Sequence, residues 1–512
     1  MKKIFKYIVA FTLAGTAMSC EDTLDIENPN EVSEQNFWRS GSDALAGVNA
    51  VYGAFYRNGT YARWLQIYLN PRSDDGFAST GWGELRSTID FTQVDLNFEG
   101  TRNTWDHHYR AIFRANQVIA NVPGIEMEET LKQRYIAEAK FLRALHYFNL
   151  VSLFRSVPLV LQPSLPTDLP AQAPEADTWA QIERDLTEAA PNLPPSYDTP
   201  NLGRATRGAA YALLGKAHMQ QREYQPALAA FNWLVEGEGR TLYDLVPNYQ
   251  DNFRHTTENN RESVFEVQFA GIQSTTDEDA PTSNLGNQRG PFFGPGRRNQ
   301  GDAQAGFNDV QMRRWVIDEF MQERTTAGQM DPRLNVTAIY NGNPETFYGG
   351  RTFAQLVPDN LMQAAWYRKY LNDYHRNDET FEGPINFRVI RYADVLLMYA
   401  ECLNALNRTA EAYPYVDRVR QRAGLARLSV TRPGLSQQAF MQQLMHERVT
   451  ELTGESTRWL DLLRWGYLDD AARVNELKTR DPEFNNFESP RDKYLPIPQS
   501  ELDINPNLTQ NF

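Results

Sequence analysis

Leu214-Gly-Lys-Ala-His-Met-Gln-Gln-Arg-Glu-Tyr224-Gln-Pro-Ala-Leu-Ala-Ala-Phe231 carries the pattern that decides the fold. Leu214, Gly215, Ala217, Tyr224, Ala227 and Phe231 fall at the spacings of a tetratricopeptide unit, in which small residues let two antiparallel helices approach and aromatics fill the gap between them. A looser second copy runs from Leu396 and Leu397 through Ala400, across an Asn407/Arg408 turn, to Ala410 and Val416. A single unit cannot bury its own apolar face, so further helices are expected around both.

Working towards the N-terminus, helical periodicity persists. Ser42 is placed to cap a helix with Leu45, Val48, Val51, Tyr52 and Phe55 on one face. Further helices are expected over 104–121, 131–154 and 177–190, the last with Trp179, Ile182, Leu186 and Ala189 on one stripe. Residues 271–384 break this rhythm. They hold 12 of the 31 glycines, where even spacing would put about seven, and only Arg313 to Gln322 keeps a helical period. Long turn-rich segments in a compact chain usually carry function.

The first residues, MKKIFKYIVAFTLAGTAMSC, read as a removable export signal. Lys2, Lys3 and Lys6 precede an apolar core from Ile8 to Leu13 that is too short to span a bilayer, followed by small residues. Cys20 then reads as a lipidation site, where cleavage would free an amine and a thiol for acylation and the chains would anchor the protein to a membrane. Asn28, Pro29 and Asn30 mark residues 20–40 as an extended tether.

Taking the three leader lysines from the net charge of −14 leaves −17, a balance that argues against a nucleic-acid partner. Only Cys402 follows Cys20, so a lipidated chain has no internal disulfide to form. The expected organisation is therefore a signal peptide over 1–19, a tether over 20–40 and one domain over 41–512. Within that domain, 41–270 and 385–470 form a mostly α, tetratricopeptide-like scaffold, 271–384 a loop-rich and partly β ligand region, and 471–512 a C-terminal tail.

Several ordered blocks carry a resemblance. Glu138-Ala-Lys-Phe-Leu-Arg-Ala-Leu145, Asp331-Pro-Arg-Leu334, Arg391-Tyr-Ala-Asp-Val-Leu-Leu-Met-Tyr-Ala-Glu401, Glu447-Arg-Val-Thr-Glu-Leu452, Arg458-Trp-Leu-Asp-Leu-Leu-Arg-Trp-Gly466 and Leu495-Pro-Ile-Pro-Gln-Ser-Glu501 occur in this succession, and Asn505-Pro-Asn-Leu-Thr-Gln-Asn511 follows them. The chain thereby resembles the SusD/RagB outer-membrane lipoproteins along essentially its whole mature length. The resemblance implies a surface protein of Bacteroidetes-type bacteria that sits as a lid on a SusC-type TonB-dependent transporter and captures oligosaccharides, or in some members peptides. Glu21 and Asp22 after Cys20 resemble the acidic signal for surface export. The resemblance brings no catalytic residue and no cofactor. Arg391, Asp394, Glu401, Glu447, Glu451, Arg458 and Asp461 are expected to pair with one another on packed helices.

An enzyme reading finds little in the residues. Glu447, Glu451 and Glu455 lie four apart and would line one helix face, yet Arg448 and Arg458 beside them favour ion pairing over acid–base work. The seven histidines include no pair four apart, and G-x-S-x-G and phosphate-loop patterns are missing. Metal sites are therefore not expected, and a surface glycoside hydrolase using loop acids is the distant alternative.

A sugar site needs aromatic platforms flanked by groups that hydrogen-bond two ways. Trp82, set between Gly81 and Gly83 just after Asp74 and Asp75 and before Arg86, meets that description. So do Phe292 and Phe293 beside Arg297, Arg298 and Asn299, and Phe347 and Tyr348 beside Asn341 and Asn343. In each case packing inside a loop is the competing role.

Overall fold

A computed structural model describes residues 37–93, 95–165, 167–271, 285–299 and 305–511. The leader, Cys20 and most of the tether lie outside them. Ten helices carry the scaffold: α1 (Gly41–Tyr52), α2 (Glu99–Asn121), α3 (Glu129–Phe154), α4 (Glu175–Ala189), α5 (Arg207–Gln220), α6 (Tyr224–Val235), α7 (Tyr392–Ala405), α8 (Thr409–Arg422), α9 (Gln437–Leu452) and α10 (Arg458–Arg464). No described helix is long and apolar enough to cross a membrane.

The expected helices form, with one correction at the first. Ser40, not Ser42, caps α1, because Asp43 at the third helical position returns a bond to the cap and closes a reciprocal pair. Val48 and Val51 on that helix are buried as the pattern requires. The second half of α3 is buried on every side, which is how a helix apolar all round must sit.

Helices α2 to α6 pack in sequence, each against the next. α5 and α6 are the hairpin of the opening motif. A Cβ on Gly215 would stand 2.4 Å from the Phe231 ring, so glycine there is what lets the two helices close. α7 and α8 form the second hairpin, and Asn407 between them takes φ 62°, a left-handed turn that asparagine tolerates. α6 packs on α7, so the two units are neighbours in space although the loop-rich residues 271–384 separate them in sequence.

Among the described residues, six short strands make three antiparallel pairs: β1 (Gly76–Ala78) with β3 (Val310–Met312), β2 (Ser263–Val267) with β6 (Phe387–Arg391), and β4 (Ala338–Tyr340) with β5 (Ala365–Tyr367). The β2/β6 pair runs from Ser263↔Arg391 to Val267↔Phe387 with shifts of register on either side of Phe265, closes the base of the loop-rich region 271–384 and returns the chain to α7.

Under that base lies a cage of buried charge. Arg333 is fully buried and reaches Asp331 at 2.7 Å, Glu447 at 2.6 Å and Glu451 at 3.0 Å. Arg391 bonds Glu262, Glu451 and Glu455, the last also held by Lys369 at 2.8 Å. Arg448 bridges Asp394 and Asp461, Arg464 pairs with Glu401 and Asp461, and Lys216 on α5 meets Asp394 at 2.7 Å. Burial alone would disfavour a charged Glu451, but Arg422, Arg391 and Arg333 outweigh it and hold its carboxyl well below the usual range. Of the three glutamates expected on one helix face, Glu447 and Glu451 lie on α9 while Glu455 falls past its end, and all three are ion-paired inside the protein. Removing any one partner would strand a buried charge.

Candidate functional site

The β1/β3 ladder runs Gly76↔Met312, Phe77↔Gln311 and Ala78↔Val310, and its open end releases two loops on the same side. The Ser79 N–H donates to the Asp309 carbonyl at 2.8 Å and the Ser79 hydroxyl to the Asn308 carbonyl, which extends the pairing past the strands. One loop then presents Trp82 and the other Phe307. The Trp82 N–H is tied to the Thr80 hydroxyl at 3.0 Å, and Trp366 Nε1 donates to Asn308 Oδ1 at 2.8 Å, so both loops are braced.

A chain of aromatic rings connects them through the interior. Trp82 stands edge-on to Trp64 (5.7 Å between centroids) and to Phe98 (5.5 Å). Trp64 meets Phe292 at 5.9 Å, and Phe292, Phe307 and Phe381 form a triangle with sides of 6.0 to 6.1 Å. The Arg63 guanidinium sits 5.0 to 5.6 Å from the rings of Trp64, Phe292 and Phe381, a cation against π faces at the back of the cluster. Trp64 and Phe292 are buried, Trp82 and Phe381 half-buried, and Phe307 is 47% exposed. An exposed phenylalanine held by braced loops is a preformed apolar platform.

The structure separates the expected site residues. Asp74 is fully buried: Arg458 forks onto it at 2.6 and 2.7 Å and Arg480 adds a third contact, so Arg458 pairs with Asp74 and not within its own block. Asp75 is buried too, accepting from Ser73 at 2.7 Å and Tyr367 at 2.8 Å, and burial pushes its carboxyl up to about 6. Phe292 and Phe293 are buried, the latter beneath the Arg289 guanidinium at 4.0 Å. Tyr348 is buried and donates to Glu379, and Phe347 beside it is covered as well. These five candidates, Asp74, Asp75, Phe292, Phe293 and Tyr348, are buried and build the fold beneath the surface.

Trp82, Arg86, Arg297, Asn299 and Asn341 reach solvent, and Arg298 does so in part while paired to Asp359 at 2.7 Å. Arg86 follows Trp82 by one helical turn, on the short helix Gly83–Ile89, and so shares its side. Asn341 follows directly on β4, which pairs with β5 and not with the β1/β3 ladder that carries the Trp82 and Phe307 loops.

Phe307 and Phe381 escaped the sequence reading, although each has a glycine within two residues, the same signal that marked Trp82. Concavities of about 760 Å³ beside Arg134 and Tyr197, and about 320 Å³ beside Tyr52 and Arg204, lie elsewhere, on the scaffold. There Glu138 accepts from Tyr52, Arg204 and Tyr197, so the polar groups are spent on joining helices. For metal, Glu183, His218 and Glu223 gather on the scaffold with ligand atoms within 4.8 Å, but His218 Nδ1 is already hydrogen-bonded to Glu223 at 2.7 Å.

Comparison with known proteins agrees with this architecture. The SusD family profile matches residues 261–512, and a profile described as starch-binding associating with outer membrane matches 22–219. The chain belongs to the SusD/RagB family. It is 28% identical to SusD-like protein P25 of Formosa agariphila across 99% of this chain and 98% of that one. A SusD superfamily protein from Bacteroides vulgatus superposes with a TM-score of 0.79 at 27% identity, over 93% of this chain and 99% of that one. A laminarin-binding SusD-like protein superposes at 0.75 with 28% identity and the same coverage.

Proposed function

We propose that this protein is a cell-surface lipoprotein, anchored to the outer membrane through Cys20, that captures oligosaccharides on the surface formed by Trp82, Phe307 and Phe381 and hands them to a SusC-type TonB-dependent transporter. The observation that carries the reading is the exposure of Phe307 on braced loops, joined by a chain of edge-on and tilted rings to Trp82. Pyranose rings present flat C–H faces, and aromatic platforms of this kind receive them with little ordering cost. The laminarin-binding relative and the starch-related family description support a glycan as the ligand class.

Delivery follows from family membership: weak, multi-point capture outside the cell concentrates ligand before it enters a pore. No hydrolytic step is assigned. A glycosidase needs two carboxylates flanking a cleft about 5 to 9.5 Å apart, whereas Asp74 is committed to Arg458 and Asp75 is buried under Tyr367. Screening the purified protein on a glycan array, followed by calorimetry of the hits and chromatography after prolonged incubation, tests this directly. Binding with intact ligand is expected. Protein-dependent shortening of a bound oligosaccharide would make the protein an enzyme and overturn the reading.

A further inference from the structure

Beside the aromatic surface, the loops around residues 254 and 375 bring together Arg254 and Arg376, neither of which forms an ion pair among the described residues, with the nearest carboxylate that feels Arg254, Asp373, held by Arg368. His255 and His375 lie tilted with ring centroids 4.4 Å apart, and Tyr374 stacks on His255 at 5.8 Å and lies 4.5 Å from His375. The Tyr374 hydroxyl pairs with His255 Nδ1 at 2.7 Å and accepts the His255 backbone N–H at 3.0 Å, which fixes the three rings as a unit. The Arg254 guanidinium lies 4.4 Å over the Tyr374 ring and makes no ion pair among the described residues. Among the described residues, Arg376 donates to neutral oxygens, the Thr380 hydroxyl and the Glu382 carbonyl, both at 3.0 Å.

The nearest acids are already engaged or apart. Asp373 is paired with Arg368 at 2.8 Å, Glu258 accepts the Asn386 N–H at 2.7 Å, and exposed Asp378 on the same turn forms no ion pair with these cations. Burial, and then the charges of Arg376 and Arg254, disfavour the imidazolium form of His255. Burial, then His255, Arg376 and Arg254, push His375 down to about 4. In a chain of net charge −14, whose interior cages its arginines with carboxylates, this local excess of positive field stands apart. Thr380 and Glu382 flank Phe381, so Arg376 ties the cationic cluster to the aromatic platform.

We propose that Arg254, Arg376, His255 and His375 form an anion subsite of the glycan surface, so that the preferred ligand is an acidic oligosaccharide whose uronate carboxylate or sulfate ester docks here while an adjoining sugar face packs on Phe381 and Phe307. This rests on the glycan-binding reading above. Guanidinium groups bind both anions through charge-assisted hydrogen bonds, and His375, exposed and without a side-chain hydrogen bond among the described residues, supplies a further donor. The acidity of the rest of the surface disfavours long polyanions such as nucleic acid and leaves a single anionic group as the matching partner.

The test is a glycan array that pairs neutral oligosaccharides with uronate-bearing and sulfate-bearing counterparts, followed by calorimetry of the best acidic hit and its neutral counterpart. The acidic member is expected to bind about tenfold tighter at low salt, with the advantage shrinking at high salt. Arg254→Gln is expected to remove most of that advantage, leaving neutral affinity and thermal stability unchanged; Arg376→Gln, which also releases the segment carrying Phe381, is expected to lower acidic affinity more than neutral affinity. Uronate-selective and sulfate-selective binding distinguish the two anions, and either supports the proposal. Equal affinity for acidic and neutral members, or an acidic preference that survives both substitutions, overturns it while leaving glycan capture standing. Binding to nothing on the array overturns both.

Discussion

The charge cage beneath α9 and the loop surface around Phe307 use the same residue types to opposite ends. In the cage, Arg333 and Arg391 each touch three acidic side chains and are out of reach of solvent. On the loops, Arg254 and Arg376 touch a ring and neutral oxygens, and the aromatics that would normally be buried stay half in water. An arginine boxed in by carboxylates is spent on the fold. One stacked on tyrosine at the surface is available to something else. Composition does not separate the two; partners and burial do.

Predictions that break one region should leave the other alone. The largest effect is expected in the cage: Arg333→Met leaves Asp331, Glu447 and Glu451 without their shared cation and should cost about 3 to 5 kcal/mol of unfolding free energy. Denaturant titration would show it as a lower midpoint, and a change below 1 kcal/mol would mean the cage is dispensable. Next comes the repeat hairpin. Gly215→Ala forces a methyl into the Phe231 ring and should cost about 1 to 3 kcal/mol, read from the same titration.

A smaller and pH-dependent effect belongs to His446, which bonds Glu319 at 2.7 Å and lies 3.7 Å from Glu323. Burial opposes its protonation, but the two glutamates prevail and raise it from 6.5 to about 9. A raised histidine contributes fully below its unfolded value and loses that contribution as pH climbs through the folded one. His446→Gln should therefore cost about 1 to 2 kcal/mol at pH 6 and much less near pH 9.5, checked by melting both proteins at each pH. An equal cost at both values would show that shape, not charge, is what His446 provides.

The scaffold was legible because its signals are local. The Leu214 to Phe231 spacing is a property of one hairpin, and Gly215 under Phe231 is its direct physical counterpart. The charged blocks, too, announced ion pairing through acids and arginines placed at helical intervals. The site was only partly legible, because exposure is settled by contacts distant in sequence. Asp74 and Asp75 sit in a turn-rich stretch that reads as surface, yet the arginine that buries Asp74 arrives 384 residues later. Phe292 and Phe307 have similar glycine-rich neighbours. One is covered by Trp64, Phe307 and Phe381, and the other is the outermost ring of the same cluster. Trp82 belongs between these cases: its edge packs on Trp64 and Phe98, so Trp82→Ala should lower both affinity and melting temperature, each by a modest amount.

The sharpest single measurement is Phe307→Ala, with glycan affinity and thermal unfolding recorded on the same preparation. Phe307 is the outermost member of the ring cluster, so its loss should cost about 1 to 2 kcal/mol of binding, roughly five- to thirtyfold in affinity, and leave the melting temperature within a degree or two. A variant that melts markedly lower while binding its glycan as tightly as the parent would contradict the account and return Phe307 to the fold.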